Sequence, residues 1–184
     1  FNITIEDNCL EGFECDYKTD LTREEILKII PEYHGVILRS KIKFDSDIID
    51  LAEKLEFIGR VGAGLENIDV NYAKSKGIRC FNSPEGNRDA VGEHTLGLVL
   101  GLLNHIPLAN YQVKSGQWIR EQNRGVEIKG KTVGILGYGN MGSAFAQRLA
   151  GFNCSVIAYD KYKTSYSSDF VTESTLKDFF AKTD

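Results

Sequence analysis

Lys131 to Asp160 reads KTVGILGYGNMGSAFAQRLAGFNCSVIAYD, and the order of its parts decides the fold of the region around it. A short apolar run, Thr132 to Leu136, has the length and composition of a buried strand. It turns through Gly137-Tyr138-Gly139-Asn140-Met141-Gly142 into a pattern in which Ala144, Phe145, Arg148 and Leu149 recur at helical spacing. Gly151 is placed to end that helix. A second apolar run from Cys154 to Tyr159 then finishes on Asp160. Strand, glycine turn, helix, strand and terminal acid in this order are a βαβ unit built to hold a dinucleotide. Gly137 permits the tight turn, and Gly139 lets the backbone approach a pyrophosphate whose charge meets free N–H groups at the helix start. Gly142 lets helix and strand pack closely. Asn140 and Met141 complete the candidate phosphate turn.

S-adenosylmethionine and flavin dinucleotides use similar turns, so the glycines alone leave the nucleotide open. Asp160 narrows it. A carboxylate at this position accepts ribose hydroxyls and repels a 2′-phosphate, which favours NAD over NADP. Lys161 and Lys163 soften that preference without reversing it.

Length and composition bound the rest. The chain has 184 residues, 42% hydrophobic and 26% charged, with a formal net charge of -4. These values suit a globular protein of one domain or parts of two. The acidic balance and the lack of a basic run give no sign of nucleic-acid binding. Leu96 to Leu103 is the most hydrophobic stretch and is far shorter than the roughly 20 residues of a membrane span, so it reads as a buried helix. Cys9, Cys15, Cys80 and Cys154 lack Cys-x-x-Cys spacing and read as buried, reduced thiols, the usage of a cytoplasmic protein. His34, His94 and His105 make no zinc set, and no metal site is expected.

Upstream, three shorter β-α units precede the dinucleotide unit. Thr22 and Glu25 have capping-box spacing at the head of a helix carrying Ile26, Ile29 and Ile30, which Pro31 ends. Strands follow at Val36–Leu38, Phe57–Val61 and Ile78–Phe81. They begin about every 21 residues, the spacing of compact units in a parallel sheet. Asp45 or Ser46 caps a helix bearing Ile48, Ile49, Ala52 and Leu55, and Asp69 caps another closed by Gly77. The carboxyl ends of these strands, where such sheets place ligands, carry Arg39-Ser40, Ala63-Gly64 and Asn82-Ser83-Pro84.

Asn87 to Asn104 reads as a long helix buried on nearly all sides and joining two lobes. Pro107 should interrupt it. Trp118 is an isolated aromatic after a turn, suited to cap its own core or to anchor a partner subunit. Lys161 to Ser168 is polar and reads as a surface loop, and Thr172 or Ser174 should start a last helix. The organisation expected is a lobe over residues 1–88, a connecting helix over 89–107 and the first part of a nucleotide lobe over 108–184. Both lobes read as incomplete. The chain opens inside a strand-like FNITI, and the nucleotide lobe shows only two strands.

Several of these stretches, in order, resemble the D-isomer-specific 2-hydroxyacid dehydrogenase family. They are Ile37-Leu38-Arg39-Ser40, Ile58-Gly59-Arg60-Val61-Gly62-Ala63-Gly64-Leu65-Glu66-Asn67-Ile68-Asp69, Phe81-Asn82-Ser83-Pro84 with Asn87, Val91-Gly92-Glu93-His94, and Gly116-Gln117-Trp118 followed by Gly130-Lys131-Thr132-Val133-Gly134-Ile135. The branch resembled most is the one acting on D-3-phosphoglycerate. The resemblance implies a flavodoxin-like substrate lobe and a Rossmann NAD lobe. It implies that Arg39, Ser40 and Arg60 face a substrate phosphate, that the Ala63-Gly64 backbone meets the carboxylate, and that Asn87 lines the cleft. Bidentate arginine donors match phosphate oxygens. It also implies a homodimer through residues near Leu96 to Trp118.

The sequence departs from the family at Glu66, where Asp is common, at Ala63 and at Gly92. The family's carboxylate-gripping arginine, proton-exchanging histidine and its partner glutamate are expected beyond Asp184. No catalytic residue is therefore assigned among these 184 residues, and they are expected to be inactive alone. Glu93 and His94 fall on the connecting helix. The alternatives within the same resemblance are a non-catalytic NAD sensor or corepressor, and a dehydrogenase of a smaller hydroxyacid such as glycerate or lactate.

Overall fold

The computed structural model describes residue 12 and residues 14–184, so the FNITI run and Cys9 lie outside the described residues. The chain forms two compact units, Phe1–Asn82 and Ser83–Asp184.

In the first unit, helix α1 (Arg23–Ile29) starts on the capping box read from the sequence. The Thr22 side chain accepts the Glu25 N–H, and the Glu25 carboxylate accepts the Thr22 N–H at 2.7 Å, so two orphan donors of the first turn are met. Pro31 follows in a single 3₁₀ turn, Ile30–Glu32. Strands β1 (Gly35–Leu38), β2 (Phe57–Arg60) and β3 (Arg79–Asn82) pair parallel in that order, aligning Gly35 with Phe57 and Phe57 with Arg79. Helices α2 (Ser46–Leu51) and α3 (Val70–Ser75) provide the crossovers.

Asp69 caps α3 by accepting the Tyr72 N–H at 3.0 Å, and Gly77 takes the left-handed conformation that closes it. Asp45 occupies the N-cap position of α2 but makes no cap bond. Its carboxylate receives Arg23 at 2.8 Å instead, because an ionised partner outcompetes a backbone amide. The core gathers Ile30, Phe44, Ile48, Ile49, Ile58, Ile68 and Ile78. Each such side chain contributes about 1.5–3 kcal/mol through burial.

The second unit begins with α4 (Arg88–Leu103) and α5 (Ile106–Lys114). His105, in the left-handed region, separates them, and Pro107 sits in the first turn of α5, where its missing N–H costs nothing. Then come β4 (Thr132–Leu136), α6 (Asn140–Leu149), β5 (Ser155–Tyr159), β6 (Val171–Glu173) and α7 (Leu176–Lys182). The strands pair parallel in the order β4-β5-β6. Ile135, Phe145, Leu149, Val156 and Val171 form the core. Helix α4 lies on α6, where Arg148 reaches Asp89 at 2.9 Å and Glu93 at 3.7 Å.

Four readings are corrected. Helix α4 is not buried all round: Gly92 is its buried residue, while Leu98 and Leu102 are 62% and 76% exposed. Only one side meets α6, and leucine composition does not say how many neighbours a helix has. The nucleotide unit has a third strand, β6, and α7 is capped by Thr175, whose hydroxyl accepts the Asp178 N–H at 3.1 Å. Val171–Glu173 is too short to show a period, and the strand exists because Val156 pairs with Val171. Asn153, not Gly151, takes the left-handed position after α6. Finally, Cys15 is exposed rather than buried, whereas Cys80 and Cys154 are half-buried.

Candidate functional site

The candidate nucleotide turn lies at the carboxyl end of β4. Gly137, with φ of 94°, makes the turn, and the next residues enter α6 with Gly139 at its N-cap. No side chain caps that helix. The first-turn amides of Asn140, Met141 and Gly142 therefore face outward with the partial positive charge of a helix start. A Cβ placed on Gly139 would touch nothing within 4 Å, so this glycine leaves open space rather than filling a contact. Gly142 is the opposite case. A Cβ there would stand 2.0 Å from the Gly137 carbonyl oxygen, so the tight turn requires a bare residue.

Asp160 follows β5, and its carboxylate is already organised. One oxygen accepts the Tyr138 N–H of the glycine turn at 2.7 Å. The other accepts the N–H groups of Tyr162 at 2.8 Å and Lys163 at 2.9 Å. These bonds, those of Tyr162 and Lys163 first, hold its pKa below the ordinary aspartate value, so it is an anion at neutral pH. A carboxylate offers about four lone-pair sites, which leaves about one for a ribose hydroxyl unless a backbone donor yields.

The Tyr138 ring stacks on Tyr166 with centroids 4.7 Å apart, and the Tyr166 hydroxyl donates to the Ala158 carbonyl at 2.9 Å. Glu173 accepts the Ser165 N–H at 2.7 Å. Tyr138, Tyr166 and Glu173 thus shape the loop beside the turn, and sequence reasoning missed all three. Their pairing depends on how residues 161–170 fold back, which no spacing rule predicts. A bare turn, an uncapped helix start and a charged acceptor beside them fit a dinucleotide.

The candidate substrate residues of the first unit sit at its strand ends. Arg39 and Ser40 follow β1, and Arg60 ends β2. Asn67 ties the two loops by donating to the Arg39 carbonyl at 2.8 Å and the Ile42 carbonyl at 3.0 Å. Asn82 donates to the Ala63 carbonyl at 2.6 Å. Arg60 turns inward: it donates to the Gly64 carbonyl at 2.6 Å and to Glu66 at 2.9 Å. The structure therefore joins Arg60, Ala63 and Gly64 in one knot. Glu66 and Asn82 tie it together, and Asn67 holds the neighbouring loop after β1; none of the three was assigned a contact from sequence. The polar residues in an otherwise glycine-rich loop were the available signal. Asn87 stands at the N-cap position of α4, in the second unit, and makes no side-chain cap bond. Among the described residues no cluster of His, Cys, Asp and Glu forms a metal site.

A parallel βαβ unit with an open glycine turn and a charged acid defines a protein of the dinucleotide-binding α/β class. The chain belongs to the D-isomer specific 2-hydroxyacid dehydrogenase family, whose catalytic-domain profile matches residues 3–183. It is 39% identical over 151 residues to a D-3-phosphoglycerate dehydrogenase of Archaeoglobus fulgidus, covering 82% of this chain and 29% of that one. It is 40% identical over 158 residues to a hydroxypyruvate reductase of Thermotoga maritima, covering 85% and 52%. The fold matches that of an Aquifex aeolicus D-lactate dehydrogenase solved with NAD and lactic acid, at a TM-score of 0.76 and 22% identity over 86% of this chain and 48% of that one. The chain thus spans about half or less of the length of these relatives.

Proposed function

We propose that this chain supplies the NAD-binding turn and substrate-contacting loops of an NAD-dependent D-2-hydroxyacid dehydrogenase acting on 3-phosphoglycerate. The observation that carries the reading is the uncapped start of α6 beside Asp160, a site for a pyrophosphate and a ribose within a chain of this family. Bound NAD supplies the hydride-accepting carbon. The residues here bind and orient: the α6 amides meet the pyrophosphate, Asp160 the ribose, the Ala63-Gly64 backbone the substrate carboxylate, and Arg39, Ser40 and Arg60 the phosphate. Such positioning supplies much of the rate in a two-reactant transfer.

A second reading is favoured by the inward pose of Arg60 and by the likeness to a hydroxypyruvate reductase. In it the substrate is a smaller acid such as glycerate. NADH absorbance with the intact protein separates the two. For 3-phosphoglycerate, kcat/KM should exceed that for glycerate and D-lactate, and Arg60→Ala should lower it about 10- to 100-fold, the worth of a charged hydrogen bond. Equal rates for phosphoglycerate and glycerate, untouched by Arg60→Ala, remove the phosphate assignment. NAD binding without turnover of any hydroxyacid transfers the reading to a sensor.

The protein works as a homodimer through α4, α5 and the Trp118 loop. Leu98, Leu102, Ile106, Tyr111 and Trp118 are all at least half exposed there, and large exposed apolar side chains of this kind suit a partner surface. Sedimentation should give a dimer at micromolar concentration and a monomer for Leu102→Glu; a wild-type monomer defeats the proposal. Cytoplasmic placement is supported by the free Cys15, Cys80 and Cys154. No described helix is long and apolar enough to cross a membrane.

A further inference from the structure

The knot around Arg60 contains an anion of its own. Glu66 reaches back over its loop, and its Oε1 accepts from Arg60 Nη2 at 2.9 Å. Its second oxygen lies against Gly64, only 2.0 Å from where a Cβ would stand on that residue. The resemblance assigns both features to substrate anions, Arg60 to a phosphate and the Ala63-Gly64 backbone to a carboxylate. One side chain of this protein touches both. The pair is asymmetric. Arg60 is 11% exposed and fixed by the Gly64 carbonyl, while Glu66 is 69% exposed and has no other hydrogen bond among the described residues. Glu66 is therefore the partner free to leave.

We propose that Glu66 is a tethered competitor for the substrate's anionic group, on the reading above that this loop receives that group. In the free protein its carboxylate neutralises Arg60 and covers Gly64. An arriving phosphate displaces it into solvent, and the cost of displacement is charged to every ligand. A dianionic phosphate recovers that cost through Arg60, whereas a substrate with one carboxylate and no second anion recovers less. Glu66 thus weakens binding of every anionic ligand, while Arg60 supplies the preference for a phosphate. The methylene that glutamate has beyond aspartate gives the reach to the guanidinium.

The test is a titration of the intact protein with inorganic phosphate, followed by the amide resonances of Gly62, Ala63 and Gly64. Glu66→Gln should bind phosphate about five- to tenfold more tightly than wild type, combining a lost partly exposed ion pair with the removal of a nearby like charge. Glu66→Asp, too short to hold Arg60 in the same pose, should also bind more tightly. Arg60→Gln should abolish binding in either background. In turnover, Glu66→Gln should lower KM for a phosphorylated hydroxyacid with kcat unchanged. Because Glu66 is exposed, melting temperatures should not move.

Equal phosphate affinity in wild type and Glu66→Gln overturns the proposal. Weaker binding by Glu66→Gln overturns it as well, since Glu66 would then be holding Arg60 in place for the anion. So does the failure of every variant to bind phosphate. The hydroxyacid panel is read separately: absence of turnover removes the dehydrogenase reading, while the phosphate titration still decides the role of Glu66.

Discussion

Gly139→Val abolishes NAD binding, weakening it by at least about a hundredfold, and leaves the melting temperature of the protein unchanged. The two halves of this expectation come from one observation. Gly139 is the N-cap of α6, its φ of −83° is open to any residue, and a Cβ there would meet no atom within 4 Å. The fold does not need this glycine. The ligand does, because a pyrophosphate held by the α6 amides must come within hydrogen-bond reach of the backbone, and a branched side chain fills that approach. Loss of two or three charge-assisted amide bonds at about 1.5 kcal/mol each gives the hundredfold figure. Calorimetric titration with NAD, set beside a melting curve, checks it. Unchanged affinity would mean that the pyrophosphate sits elsewhere. A lowered melting temperature would mean that the space is not open.

Gly142→Ala, three residues on, should behave in the reverse way and destabilise the second unit by about 3 kcal/mol, the upper range for forcing an extra methyl into a packed site. Its Cβ would stand 2.0 Å from the Gly137 carbonyl oxygen and 3.1 Å from the carbon of the same group. Both are backbone atoms, so no rotamer relieves the overlap and the turn itself must open. Opening the turn moves Tyr138, whose N–H is held by Asp160 and whose ring stacks on Tyr166. Cofactor affinity falls as a consequence rather than as a direct contact. Urea unfolding followed by near-ultraviolet circular dichroism, which reports the stacked tyrosines, should show a lower midpoint and a weakened native signal. A variant as stable as wild type would contradict the close approach at Gly142. Gly64, with its own short Cβ distance, needs no such rescue, because the atom it would meet is the free end of Glu66.

The contrast between these glycines marks the boundary of what pattern reading resolves. The motif names Gly137, Gly139 and Gly142 together, and the reasons assigned to each were a turn, a ligand approach and a packing contact. The structure gives Gly137 its left-handed φ and Gly139 its open space, and it sets Gly142 both against the Gly137 carbonyl within the turn and against Ile135 of β4, the helix–strand packing assigned to it. In the first unit the capping box of Thr22 and Glu25 and the Asp69 cap were equally legible, because each is settled within four residues. The cap at Asp45 was legible as a position but not as a bond, since Arg23, far away in sequence, takes the carboxylate. The orientation of Arg60 was not legible at all. Its guanidinium has donors enough for a phosphate, a carbonyl or Glu66, and composition does not rank them.

Local chemistry, then, was decided by the residues themselves: the strand-turn-helix order from Lys131 to Asp160, the parallel β-α units before it, and the family to which those motifs belong. What tertiary structure alone decided is which partner each versatile group holds. Helix α4 exposes Leu98 and Leu102 because α6 packs along only one side of it. Val171–Glu173 becomes a strand because β5 offers an edge. Asp160 organises two loops because three amides converge on it, and Arg60 meets Glu66 because the loop folds back. Periodicity and caps are properties of a few neighbouring residues and survive in any context. Side-chain partnership depends on distances between segments remote in sequence, and those exist only once the chain has packed.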